Sequence, residues 1–174
     1  MLELAAAAEA TRIVASGFEL HHTAQGGVEP RSRRPAAGGR RRTVRPMRIT
    51  RVFTGDDGHS HFEDLEVPME DRPYGLISDW LPATGVAFRV NHLDQNLDFH
   101  VAPRRQLVVN LYGAVEIETH AGDVRRLGAG DILLADDLTG SGHISRDVAG
   151  PRRNLFIPLP EDLDVSPWRV PPDA

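Results

Sequence analysis

The chain has 174 residues, of which 40% are hydrophobic, and this length and composition are ordinary for a single domain. No stretch approaches the roughly 20 apolar residues that a membrane span needs. The absence of cysteine excludes disulfides and thiolate metal sites, and it fits a reducing cytoplasm. The formal net charge is −5.

Residues 1–46 are predicted to form a disordered or dispensable basic arm. They carry eight Arg and four Glu, and breakers such as Gly26-Gly27 and Pro30 interrupt them repeatedly. The run Arg40-Arg41-Arg42 is typical of a solvated tail, although it can also contact nucleic acid or a membrane. The sequence from Met47 onward resembles the beginning of a protein. Residues 1–46 can therefore also result from a start codon assigned too far upstream. The rest of the chain is acidic, which argues against nucleic acid as its partner.

From Met47 onward the hydrophobic pattern has the period of two that is typical of β-strands. Residues 68–82 are predicted to be irregular, and residues 161–174 to form a loose tail that carries Trp168. About ten short strands, joined by tight turns and without an amphipathic helix, predict a sandwich or barrel in which neighbouring strands run antiparallel. The strands are predicted at 48–53, 62–67, 86–90, 97–101, 106–112, 114–120, 124–127, 131–135, 143–148 and 155–158.

Two segments carry a more specific spacing. His100 lies six residues before Gln106, and Gln106 lies seven residues before Gly113. Further along, Gly130-Asp131 opens a predicted strand that leads through a short loop to His143. These spacings resemble the two motifs of the cupin superfamily, so residues 47–160 are expected to form a cupin barrel, a double-stranded β-helix or jelly roll. The resemblance also implies a homodimer.

The chain departs from the cupin motifs at two ligand positions. By resemblance, a full cupin site binds a divalent metal through three His and one Glu. Here Ala102 stands where the second His belongs, and Gln106 stands where the Glu belongs. The remaining set of His100, Gln106 and His143 lacks the anionic ligand that offsets a metal's charge, so we expect a weakly bound divalent metal or none.

Strand alternation predicts the composition of the pocket. If Gln106 points inward, then Asn110 and Tyr112 do so too, because residues two apart share a face. On a later strand His143, Ser145 and Asp147 share a face. The predicted pocket therefore has apolar walls with a few polar groups, as small-molecule sites do. The alternative is that Asn110 and Tyr112 satisfy one another structurally.

Four other groups are weaker candidates. Arg104-Arg105 can receive a carboxylate or phosphate, or form a salt bridge at the rim. Asp136-Asp137 can position a cation or a hydroxyl at the barrel mouth, or be an ordinary acidic loop. Arg89 interrupts an apolar face and is expected to be buried against an acidic residue. The alternative is that it contacts a ligand. His59 and His61 have the spacing of two ligands on one face, although surface histidines explain them equally.

Three functions follow as hypotheses. The first is an enzyme that catalyses isomerisation, cyclisation or elimination of a small polar or aromatic metabolite, with His100 and His143 as general acid and base. The expected substrate contacts are Gln106, Asn110, Tyr112 and Arg104. The second is a metal-dependent oxygenase that uses His100, Gln106 and His143. The third is a binding protein without catalysis. All three imply a cytoplasmic protein with a small-molecule partner and without nucleic-acid or membrane partners.

Overall fold

The chain is built from ten β-strands and one short 3₁₀ turn, Ser166–Trp168, in the part that the computed structural model describes, residues 46–92 and 95–170. The predicted arm therefore lies almost wholly outside the described residues. The prediction of an all-β fold of barrel or jelly-roll type is confirmed. The strands are β1 Arg48–Thr54, β2 Ser60–Glu66, β3 Glu70–Arg72, β4 Gly75–Ile77, β5 Ala87–Val90, β6 Asn96–His100, β7 Gln106–Glu118, β8 Val124–Leu127, β9 Ile132–Asp136 and β10 His143–Pro158.

Eight of these strands form one mixed sheet. Its main path runs β2-β1-β9-β7-β10-β5, with β6 added to β10 and β8 added to β7. The expectation of antiparallel pairing throughout is wrong at one place, because β1 and β9 run parallel. Strands β3 and β4 form a separate hairpin within the segment that was expected to be irregular. No helix among the described residues has the length and apolar character needed to cross a bilayer.

Strands β7 and β10 are long and run side by side through the sheet. Each was expected as two strands, with a turn at Tyr112-Gly113 in the first case and a gap at residues 149–154 in the second. Each continues instead through β-bulges. At Gly113 the backbone has φ of 80°, and a Cβ there would lie 2.4 Å from the carbonyl oxygen of Ala149. Glycine therefore lets β7 change direction without ending. The first half of β7 pairs with β9 and the second half with β8, so the sheet curls around an interior.

The apolar residues form two core clusters on opposite faces of the sheet. Leu133 and Leu134 are consecutive on β9 and are both buried, one in each cluster, because successive side chains of a strand point to opposite faces. The interior cluster includes Val115, Ile117 and Leu133. The outer cluster consists of Ile49, Leu65, Val67, Leu107, Leu134, Leu159, Val165 and Trp168.

The segment after β10 covers the outer cluster. Trp168 is only 7% exposed and packs there with Val165, so the expectation of a loose tail is wrong for these residues. Arg105 holds the segment by donating hydrogen bonds to the carbonyl oxygens of Glu161 and Leu163 at 2.8 and 2.6 Å. The outer face of β9 therefore depends on this segment for its burial.

Replacing Trp168 by Ala is expected to lower the free energy of unfolding by about 3–5 kcal/mol, the usual cost of removing a buried aromatic side chain. The chain has two tryptophans, and Trp80 is 95% exposed, so Trp80→Ala serves as the matched control and should change stability by less than about 0.5 kcal/mol. Urea unfolding measures both. Equal effects of the two substitutions would contradict the packing described.

Candidate functional site

A cavity of about 590 Å³ lies inside the curled sheet. Its volume is within the ~300–1,000 Å³ that is usual for small-molecule sites. Strands β5, β6, β7, β9 and β10 and the loop before β7 contribute to its wall. Apolar side chains such as Val108, Ile117, Leu133 and Phe156 form much of the lining, and the polar lining side chains are Arg89, His100, Arg104, Gln106, His143, Ser145 and Arg152.

His100 and His143 lie next to each other on one wall of this cavity. His100 ends β6, His143 begins β10, and the two residues are direct partners in the pairing of these strands. Their ring centroids are 4.5 Å apart with an angle of 52° between the planes. The two imidazoles therefore share a face of the sheet. They are side by side and do not face each other across the cavity, because β6 and β10 are neighbouring strands.

Asp137 fixes the orientation of the His143 ring. The carboxylate of Asp137 has no solvent exposure, and its Oδ2 accepts hydrogen bonds from Nδ1 of His143 at 2.6 Å and from Oγ of Ser60 at 2.8 Å. A carboxylate can only accept, so Nδ1 of His143 carries the proton and Nε2 is the nitrogen left for a ligand. This corrects the prediction that Asp137 belongs to an acidic pair at the barrel mouth.

His100 is held in the same tautomer by its own strand. Its Nδ1 donates to the main-chain carbonyl oxygen of Asp98 at 2.8 Å. The neutral forms of both rings therefore leave Nε2 as a hydrogen-bond acceptor. Two such acceptors on adjacent imidazoles can take up and return a proton on a molecule in the cavity.

The neighbouring Asp136 has a structural role. Its carboxylate receives hydrogen bonds from Arg51 and Arg105 and is largely buried. Arg105 is itself 4% exposed, with Nε 3.1 Å from Oδ1 of Asp136. Of the pair Arg104-Arg105, only Arg104 lines the cavity. Arg105 thus forms a salt bridge, one of the two predicted alternatives, but a buried one that joins β9 to the segment after β10, and it does not line the cavity.

The other predicted polar contacts divide into residues inside and outside the cavity. Gln106 begins β7, lines the cavity and is buried, and its amide makes no hydrogen bond to any described residue. Asn110 is buried but does not line the cavity, and its Nδ2 donates to the carbonyl oxygen of Leu127 at 3.0 Å. Asn110 and Tyr112 therefore do not satisfy one another.

Tyr112 lies outside the cavity and is 54% exposed. Asn110 pairs with Asn154, but Tyr112 pairs with Arg153, so Leu111 is an extra residue in β7. This bulge shifts the alternation by one position and turns Tyr112 outward. Its ring packs against the guanidinium of Arg153, which lies 5.6 Å from the ring centroid. A strict period of two over residues 106–112 could not anticipate this shift.

Arg152 is the cavity residue that the sequence pattern missed. It lies in the gap between two predicted strands, and the continuity of β10 turns it into an inward-facing strand residue. Burial is the main influence on its guanidinium and lowers its pKa. Asp147, with Oδ1 3.1 Å from Nε of Arg152, opposes this effect, while the nearby Arg89 adds to it. The signal available in the sequence was the alternation of Arg152, Asn154 and Phe156.

His59 and His61, which have the spacing of two ligands on one face, make separate contacts in the structure. His59 stacks on His120 with centroids 4.1 Å apart and lies 3.1 Å from Oγ of Ser141 through its Nδ1. His61 pairs with Asp57 at 3.0 Å, and this contact lowers the pKa of the Asp57 carboxyl. Neither histidine lines the cavity.

The residues around His100 and His143 do not suit a divalent cation. Among the described residues no group of three or more His, Asp or Glu is arranged to hold a metal. Gln106 adds only a neutral carbonyl oxygen, and the cavity wall presents three guanidinium groups, which repel a cation. The donor set thus disagrees with the metal that the cupin resemblance implies.

Comparison with known proteins gives no family assignment. No protein-family model matches the sequence, and no curated protein is similar enough to count as a relative.

Gly142 is expected to be essential for the placement of His100. It has φ of 69°, and a Cβ there would lie 2.2 Å from the carbonyl oxygen of His100. Gly130 has φ of 92° and open space around its Cβ position, so Gly130→Ala is the matched control. Gly130→Ala should cost about 1–2 kcal/mol for the left-handed backbone alone, and Gly142→Ala distinctly more. Urea unfolding compares them. Equal losses would contradict the close approach.

Proposed function

We propose that the protein binds a small metabolite in its cavity and transfers a proton on it, as an isomerase, cyclase or lyase of cupin type that needs no strongly bound metal. The single observation that carries this proposal is the buried pair of Asp137 and His143, joined at 2.6 Å, beside His100 at the cavity wall. A carboxylate that orients an imidazole, which in turn faces a ligand cavity, is a recurrent arrangement for acid–base work.

The roles of the two histidines follow from their hydrogen bonds. His143 accepts a proton at Nε2, and the Asp137 carboxylate lies next to the charge that the ring then gains. His100, with its Nδ1 proton held by a main-chain carbonyl, is the neighbouring base, and it gives a proton from Nε2 only after it has taken one up there. Gln106 offers an amide to the substrate, since it faces the cavity without a partner among the described residues.

The residues His100, Gln106 and His143 at the cavity wall disfavour the oxygenase hypothesis, because this set lacks an anionic metal ligand. The homodimer stays a prediction, with exposed Phe88 and Val90 on the sheet-edge strand β5 as apolar surface that accords with it.

Proton transfer can be tested without knowing the reaction. Small metabolites that bind the protein are identified by ligand-observed NMR and then incubated with it in D₂O. The unmodified protein should exchange a substrate hydrogen for deuterium or convert the compound. His143→Asn and His100→Asn should each slow this by about 10²–10⁴, the usual contribution of a general acid or base, while binding survives.

The matched control is His61→Asn, which alters a histidine outside the cavity and should leave the exchange rate unchanged. Binding without exchange or conversion by the unmodified protein would identify a binding protein without catalysis. Undiminished rates in both cavity variants would remove the two histidines from the reaction.

A further inference from the structure

The cavity wall has the opposite charge to the chain as a whole. The formal net charge is −5, yet the charged residues that line the cavity are Arg89, Arg104 and Arg152, and no Asp or Glu of the described residues is among the lining. Guanidinium groups stay charged at neutral pH and bind oxyanions through paired N–H donors. Their presence on a largely apolar wall is costly unless an anion compensates them.

Arg89 and Arg152 come close together through the pairing of β5 with β10. Arg89 is opposite Asn154, two residues from Arg152, so the two arginines are diagonal neighbours on the inner face. Arg89 donates to Oε1 of Gln95 at 2.8 Å, and its guanidinium lies 5.6 Å from the ring centroid of Phe156. No described carboxylate forms an ion pair with Arg89.

Arg152 is only partly neutralised. Its Nε lies 3.1 Å from Oδ1 of Asp147 but is not aligned for a hydrogen bond and has no other partner among the described residues. Asp147 also accepts a hydrogen bond from Asn91 at 2.8 Å. One carboxylate is therefore shared between the guanidinium of Arg152 and the amide of Asn91, and no described carboxylate pairs with Arg89.

We infer that the ligand is a small organic anion whose oxyanion binds between Arg89 and Arg152 and whose apolar body lies along the apolar wall. Arg104, exposed on the loop before β7, adds a third positive charge to the same cavity. An inorganic anion would leave most of the 590 Å³ unfilled and the apolar wall uncovered. The inference rests on the proposed function only in using the same cavity, and it names the substrate class.

Matched acids and amides test the charge preference. Isothermal titration calorimetry compares benzoate, phenylacetate and hexanoate with their neutral amides. At least one acid should bind about tenfold or more tightly than its amide, because charge-assisted hydrogen bonds to arginine distinguish the two. Its affinity should fall with added salt. Equal affinities within every pair, or no binding of any acid, would overturn the inference.

Single substitutions locate the anion. Arg89→Gln should weaken binding of the preferred acid about tenfold, since it removes one guanidinium partner. Arg153→Gln is the control, because Arg153 follows Arg152 in the same strand but faces outward, and it should change affinity less than about twofold. Arg152→Lys keeps the charge beside Asp147 and should still weaken binding, as the paired donors are lost. Equal effects of Arg89→Gln and Arg153→Gln would contradict the assignment.

Phenyl phosphate and inorganic phosphate distinguish the possible anions. Phenyl phosphate should bind more tightly than inorganic phosphate, and its affinity relative to phenylacetate shows whether the site prefers a phosphate ester or a carboxylate. Tighter binding of inorganic phosphate would contradict the inference that the ligand has an apolar organic body.

The two proposals can fail separately. If acids bind but no proton exchange occurs, the anion preference stands and catalysis fails. If amides bind as well as acids and exchange protons, catalysis stands and the anion preference fails.

Discussion

The site depends on the buried carboxylate of Asp137. Burying a carboxylate is costly unless donors compensate it, and here Ser60 from β2 and His143 from β10 both donate to Oδ2, while Oδ1 has no partner among the described residues. The same requirement fixes the position of both partners, so the charge that is costly to bury also orients the imidazole. Asp136, the preceding residue, faces the other way toward Arg51 and Arg105 and anchors the outer core. Two consecutive acids thereby join the site to the packing that surrounds it.

The imidazole and guanidinium groups occupy different parts of the cavity wall. The imidazoles of His100 and His143 occupy one part of the wall, where β6 meets β10, and Arg89 and Arg152 occupy the part where β5 meets β10. Both groups belong to the single long strand β10 and its two edge neighbours. Under the proposed function, a ligand held by its charge at the arginines would lie along this strand beside the two imidazoles. The proposal thereby needs no strong metal set to select and orient a substrate.

Period-two patterning predicted most strands, because alternation is a local property of a strand that covers a core. The inward placement of Gln106 and His143 was an expectation from the cupin resemblance. Patterning failed where contacts between residues distant in the sequence determine the structure. The turn expected at Tyr112-Gly113 lies within the continuous strand β7, and the extra residue Leu111 turns Tyr112 outward. Asp137 resembled a loop acid because its partner Ser60 lies 77 positions away in the chain. The burial of Trp168 could not be anticipated either, since its proline-rich surroundings are typical of a tail and the outer cluster that it covers is formed by distant strands.

Asp137 accepts the hydrogen bond from Nδ1 of His143 and thereby leaves Nε2 for a ligand. Long-range ¹H–¹⁵N correlation spectra of the histidine rings measure this directly, with the His143 signals assigned by their loss in His143→Gln. Nδ1 of His143 should carry the proton at neutral pH, and Asp137→Asn should release this constraint and alter the Nδ1 shift. A His143 ring whose only proton is on Nε2, or whose spectrum is unchanged in Asp137→Asn, would contradict it.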